Sequence, residues 1–370
     1  MNSPVIIELT AGATFLLGFL LIVQPRKVNV IANRYLGLFV LTIGVAMIEI
    51  PLYYQDFHLR HPNLFELIGL IRFLTAPLLY ISILYFTSFE KGFKRNILWH
   101  FLPFLIFCAF RVPFFITGQN LEFSAETRPI LFFILRTALP FQTFIYWILS
   151  WMILRNHIKN IRRFSSVTEK IDLYWLRSFL VIILFLLLAW LNLVFFNLKY
   201  LIPYTPILYL ISVFFLAYFS LQQKEIFDFA KEDLEDLSSI KEQKNESPKR
   251  VAEARLMELD TQLKLIMNAE KLYLDNELNL PKLAKKLNAS CNETSFVINQ
   301  LHGDNFYNFI NKYRVEEAKK MLLSEKYNQL NILGIAYESG FNSKTTFNTT
   351  FKKHTGLSPR DFVKSNTIIT

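Results

Sequence analysis

Seven stretches of this chain are too long and too apolar to be faces of ordinary globular helices. Residues 5–23, 36–54, 64–86, 97–117, 129–154, 178–196 and 201–221 each approach the roughly 20 mostly apolar residues that a helix needs to cross a bilayer. The sixth, around FLVIILFLLLAWLNLVFF, contains no charge at all. Composition agrees: the chain is 52% hydrophobic and 16% aromatic, with 37 Phe, values above those of soluble proteins. A membrane-spanning bundle of seven helices is therefore expected over residues 1–222.

The loops between these windows are charged asymmetrically. Arg26, Lys27 and Arg34, then Lys91, Lys94 and Arg95, then Arg155, Lys159, Arg162, Arg163, Lys170 and Arg177 follow the odd windows. Only Arg60, Arg128 and Lys199 follow the even ones. The positive-inside rule then places the odd loops and the C-terminal half in the cytoplasm, with the N-terminus outside. No basic residue precedes the first window, which reads as a reverse signal-anchor rather than a cleavable signal. A multi-pass protein of the cytoplasmic (inner) membrane is the expected localisation.

Charges inside the windows are costly and point to function or pairing. They are Glu8, Glu49, Glu66, Arg72, Arg111 and Arg136, and this topology puts them all toward the outer side. Two readings stand: Glu–Arg bridges between helices, or a polar pocket for a small-molecule ligand entering from outside, lined also by Asn192, Tyr204 and Trp190. Pro77 and Pro140 lie mid-window, where they either kink the helices and make room or are simply tolerated. Tyr53, Tyr54, Trp99, Trp147, Trp151, Tyr200 and Tyr204 suit an interfacial aromatic belt against lipid.

Hydrophobicity stops at Gln222. Residues 223–250 read as a cytoplasmic linker, polar and Ser/Asn/Pro-containing in its second half. Its first half either extends the last window as a rigid helix or is a tether acting through local concentration and dimerisation. Leu256, Leu259, Leu263 and Ile266 then recur at helical spacing. That stripe either packs on the following domain or forms a homodimer seam.

Residues 251–370 read as a soluble helical domain containing two helix-turn-helix units, at about 280–303 and 331–355, joined by a long helix over 305–323. In the second, Ile332, Ile335 and Ala336 supply an inner face, Gly340 a turn, and Phe341, Phe347 and Phe351 anchors for the second helix. Ser358 and Pro359 start a last helix. The net charge of +10 suits nucleic acid or an anionic membrane face.

The run GFNSKTTFNTTFKKHTGLSP, with YLDNELNLPKLAKKL and NFYNFINKYRVEEAKKMLL before it, resembles the signature of AraC-type transcriptional regulators. Seven windows ahead of such a domain are similar to membrane-bound regulators of this family from Bacteroidetes-like bacteria. The resemblance implies an all-α chain: a seven-helix transmembrane bundle followed by a soluble AraC-type double helix-turn-helix domain. It implies double-stranded DNA as partner, with two reading helices in successive major grooves. Asn292, Ser295, Phe296 and Asn299 would read from the first helix; Lys344, Thr345, Asn348 and Thr349 from the second. Lys352, Lys353, Lys285, Lys286 and Arg314 would meet phosphate or solvent. Phe296 stands where the family usually has Gln or Arg, and Thr294 where it has a buried Leu, which implies a shifted first helix or reading by shape and thymine-methyl contact. Thr349 stands where Arg is frequent, removing a guanine contact.

No residue pattern for catalysis or a cofactor is evident: His58 and His61 are the only His pair close in sequence, and Cys108 and Cys291 offer neither a disulfide framework nor a zinc site. The expected function is a membrane-bound transcription regulator and not an enzyme. The alternative is a transporter or enzyme fused to an autoregulatory DNA-binding domain. A further possibility is a tether released by proteolysis.

Overall fold

The computed structural model of the protein describes residues 4–89, 92, 95–118, 124–168, 171–196, 204–226, 233, 237, 253–324, 327 and 329–367. The side chains of 4, 131–132, 134–136, 193–194 and 367 fall outside the described set. Regular structure among the described residues is helical, with an isolated antiparallel bridge between Ser165 and Asn279. The chain divides into two compact units: Met1–Arg155 with Leu173–Ile226, and Asn156–Asp172 with Phe227–Thr370.

The first unit is built from α1 (Pro4–Val23), α2 (Val30–Tyr54), α3 (Pro62–Phe86), α4 (Leu102–Thr117), the greater part of α5 (Thr127–Ile161), α6 (Tyr174–Phe195) and α7 (Thr205–Gln222). A 3-10 turn, Arg95–Phe101, leads into α4. Among the described residues these make seven helical segments long and apolar enough to cross a membrane. The largest departure from the sequence windows is in α5, which runs on to Ile161 rather than ending at 154. Its last two turns are polar and basic, so hydropathy loses them although the backbone stays helical.

Close approach organises α1 and α2. A Cβ on Gly37 would sit 2.7 Å from the Gly18 carbonyl oxygen, and one on Gly18 equally near Leu41. With no side chain at either glycine, the two helix backbones can come this close. Ile7, Ala11 and Met47 form a core with Phe15, Ile43 and Tyr209. Polar groups cross-link the helices: Ser82 Oγ donates to the Ala32 carbonyl (2.9 Å), Gln142 Nε2 to that of Phe73 (2.9 Å) and Trp147 Nε1 to that of Leu180 (2.8 Å). Many large apolar side chains face outward, among them Leu16, Phe19, Ile106, Phe185 and Phe214.

The connector does not begin as an extension of α7. Gln223 is extended, at φ −64° and ψ 149°, and the chain is gripped by the turn between α1 and α2. Arg26 Nη1 donates to the Leu221 carbonyl (2.6 Å) and Asn29 Nδ2 to that of Lys224 (2.9 Å). The Asn29 amide donates to Glu225 (2.6 Å), and Gln223 Nε2 to Asn33 Oδ1 (2.9 Å). From residue 227 on, the proposed linker lies outside the described residues apart from Asp233 and Leu237.

The second unit contains α8 (Glu253–Leu265), α9 (Leu280–Lys286), α10 (Cys291–His302), α11 (Phe306–Leu322), α12 (Ile332–Glu338), α13 (Lys344–Thr355) and α14 (Pro359–Thr367). The α8 stripe is used up internally: Leu259, Leu263 and Ile266 are buried, and Asp260 meets His302 of α10 at 2.8 Å. Around α11, Val315, Ala318 and Met321 pack with Ile335, Ala336, Phe341, Phe347 and Phe351.

Candidate nucleic-acid interface and the cavity of the apolar unit

The two helix-turn-helix units are built to one plan. Each pairs a 7-residue helix with a 12-residue one, α9 with α10 and α12 with α13. Asn279 and Asn331 cap the short helices; Ser290 and Ser343 cap the long ones. Each cap oxygen accepts one of the amide hydrogens that a first helical turn leaves unpaired. At α10 the cap is a full capping box, because the Ser290 amide donates in turn to the Glu293 carboxylate. That bond, with the Ser290 hydroxyl and Arg255, holds the Glu293 carboxyl below the usual carboxylate range despite partial burial. Gly303 and Gly356 end the two long helices in left-handed conformation.

Gly340 closes the turn before α13 at φ +89°. A Cβ there would also lie 2.6 Å from the Tyr273 carbonyl oxygen and 3.0 Å from Arg314 Nε. The position is thus restricted twice, by backbone conformation and by space.

One side of α13 is buried through Phe347, Thr350 and Phe351. The opposite side carries Lys344, Thr345, Thr349 and Lys352, all exposed, with Asn348 half-buried between them. Thr345, Asn348, Thr349 and Lys352 follow helical spacing, so the structure brings them onto one stripe. On α10, Asn299 and Gln300 are exposed, and Asn292 and Phe296 are partly so. Ser295 is different: it is buried, and Asn299 Nδ2 donates to its carbonyl (2.8 Å) and hydroxyl (3.2 Å). It positions Asn299 rather than facing outward. Gln300, next to Asn299 in sequence, is the outward polar residue that sequence reading passed over; its i, i+4 spacing from Phe296 was the available signal. Thr294 fills its fully buried position by turning its hydroxyl back to the Ser290 carbonyl (2.9 Å).

The expected phosphate partners separate in the same way. Lys285 meets Asp233 (3.0 Å), Lys286 meets Glu270 (2.9 Å) and Lys353 reaches Asn308 Oδ1 (3.2 Å), all at exposed positions. Arg314 is not on the surface at all. It is 1% exposed and donates to the carbonyls of Tyr273 and Asp275 (both 2.8 Å), to Asn311 Oδ1 (3.2 Å) and to Ser166 Oγ (3.2 Å). Desolvation lowers its pKa to about 10, leaving it charged at neutral pH. The sequence shows a basic residue on an amphipathic helix; only the fold shows which face it lies on.

In the first unit, Arg72 pairs with Glu49, and Arg111 with Glu66 at 2.8 Å. Glu8 is exposed, and the Arg136 side chain lies outside the described residues. A cavity of about 340 Å³ opens among α2, α3, α5, α6 and α7. It is mostly apolar, and among the six charged residues only Arg72 lines it, with Tyr146, Trp147, Trp190 and Tyr209. Asn192 and Tyr204 are not among its lining residues, and Tyr204 is exposed.

Paired capped helices, with outward polar stripes on the second helix of each pair, define a DNA-binding domain of the helix-turn-helix class. Residues 283–365 match a family described as "Helix-turn-helix domain". The chain is also similar, at 31% identity over 87 residues, to the "HTH-type transcriptional activator RhaS" of Mannheimia succiniciproducens, covering 24% of this chain and 31% of that one. It is 31% identical over 108 residues to an "Uncharacterized HTH-type transcriptional regulator in cgkA 5'region" of Pseudoalteromonas carrageenovora, covering 27% of this chain and 60% of that protein. The chain thus spans less than two thirds of either relative. No solved structure gives a significant match. The C-terminal domain is an AraC-type helix-turn-helix domain of the kind found in transcriptional regulators.

Proposed function

We propose that the chain is a multi-pass membrane transcription regulator, in which a signal reaching the apolar unit alters promoter binding by the helix-turn-helix domain. The observation that carries this reading is the presence of seven span-length apolar helices and two capped DNA-reading pairs in one polypeptide. Outward Leu, Ile and Phe side chains on the apolar helices favour lipid as their surroundings. The charge asymmetry of the loops favours a cytoplasmic C-terminal domain. The cavity beside Arg72 is the proposed seat of a small ligand, whose entropy of capture is limited because the walls are already packed.

Base reading is assigned to Lys344, Thr345, Asn348 and Thr349 on α13, and to Asn292, Phe296, Asn299 and Gln300 on α10, with Lys352 on phosphate. Sealed membrane vesicles of known orientation test the whole reading. Inside-out vesicles carrying the protein should capture duplex DNA, with affinity falling steeply as salt rises. Right-side-out vesicles should not. Capture by right-side-out vesicles, or recovery of the full-length protein in the soluble fraction, would overturn the reading.

A further inference from the structure

The segment between α5 and α6 is folded into the DNA-binding unit. Asn156–Asp172 belongs to that unit and not to the apolar one, although it lies between two apolar helices in sequence. Its centre is built in. Phe164, Ser165 and Ser166 are buried, and Ser165 makes the antiparallel bridge with Asn279.

What the segment does there is chemically specific. A helix leaves its first amide hydrogens without intrahelical partners. The Phe164 carbonyl accepts from the Leu280 amide (2.8 Å), at the start of α9, and the Arg162 carbonyl from the Tyr307 amide (3.0 Å), at the start of α11. Two helices of the DNA-binding unit therefore take part of their N-terminal capping from this one turn. Ser166 Oγ donates to the Leu278 carbonyl (2.5 Å) and accepts from Arg314 Nη2 (3.2 Å), while the Ser166 carbonyl accepts from Asn311 Nδ2 (3.4 Å). The Arg162 guanidinium lies over the Tyr307 ring at 5.3 Å. His157 Nε2 and the Ile171 carbonyl lie 3.0 Å apart and close the base of the turn.

The geometry points to residues 162–167 as a docking element, through which α5 and α6 hold the helix-turn-helix domain by a contact separate from the covalent connector. This rests on the membrane reading above. Displacement of α5 against α6 would then act on the Asn279 cap of α9 and on the Arg314 hub directly. The partner of this surface is the chain's own interhelical turn: its carbonyls accept from the first-turn amides of Leu280 and Tyr307, and the Ser166 hydroxyl adds one acceptor to those of the buried Arg314 guanidinium.

The test is made on the full-length protein in membranes, with a protease site inserted near residue 245. After cleavage, the C-terminal fragment should still sediment with the membranes at a salt concentration that suppresses adsorption to lipid headgroups. In a second protein carrying S165K and S166K, the same cut should release it. Release of the fragment from the first protein overturns the docking element. Retention by both also does so, since it shows adhesion elsewhere. Either failure leaves intact the vesicle-orientation result, which judges the membrane regulator reading separately. A milder variant, S166A, should give intermediate retention if the double lysine variant fails to accumulate.

Discussion

At the scale of single residues, Gly340 and Arg314 show how much of a helix-turn-helix domain rests on exclusion. Gly340 occupies left-handed space against the Tyr273 carbonyl. Gly340→Ala should destabilise the C-terminal domain by about 1–3 kcal/mol from backbone strain alone, with the close contact adding to it. Thermal unfolding followed by the loss of DNA binding reads this out; an unchanged midpoint would contradict the assigned geometry. The exposed stripe of α13 makes a second prediction. Asn348→Ala should weaken binding by about 1–3 kcal/mol and relax preference at one base position. Lys352→Ala should instead weaken all sequences alike and reduce the slope of log K against log salt by about one unit. Binding assays on randomised duplexes at several salt concentrations distinguish the two, and identical profiles for both variants would refute the division of labour.

At the scale of elements, repetition is the lesson. Equal helix lengths and matched Asn and Ser caps give the two reading pairs the same local physics. Their differences lie in charge. Only α10 has the capping box, and Glu293 there has a lowered pKa, first because the Ser290 amide donates to it. A depressed folded value means the stabilisation is present above the unfolded value near 4.5 and is lost as pH falls through the lower folded one. Glu293→Gln should therefore lower stability at neutral pH and flatten the acid limb of the unfolding curve as pH falls below 4.5. A variant whose acid limb is as steep as the parent's would show that another carboxylate carries it. Much of this element-scale plan was legible in advance: the turns at NASCN and FNS, the anchors Phe341, Phe347 and Phe351, and Gly340. What was not legible was facing. A helical wheel places Ser295 next to Asn299, but only the packed domain decides which of them is covered.

At the scale of the whole molecule, the two charged pairs of the apolar unit differ in their relation to the cavity, and the proposed function makes that difference testable. Arg72 both pairs with Glu49 and lines the cavity, whereas Arg111 pairs with Glu66 and does not line it. Removing one partner of a pair in apolar surroundings leaves the other uncompensated. Arg72→Gln should reduce the amount of protein in the membrane fraction, and exchanging the pair, Glu49→Arg with Arg72→Glu, should restore it. The exchanged protein should still fail to respond to signal, because the charge facing the cavity has been inverted. Quantitative immunoblotting with a transcriptional reporter measures both; recovery of the response with the abundance would reduce the pair to a structural bridge.

Hydropathy, loop charge and capping grammar are local or additive properties, and they travel with the sequence. They sufficed for the all-α class, for seven span-length helices and for two helix-turn-helix pairs at the C-terminal end. Burial is not additive, because it depends on which surfaces meet. Tertiary structure alone put Arg314 inside, covered the α8 stripe with its own domain, ended α7 at Gln222 in an extended residue, and drew the turn after α5 into the DNA-binding unit. In each case the deciding contact joins residues far apart in the chain, as Ser166 joins Arg314, and no pattern of neighbours along a sequence contains it.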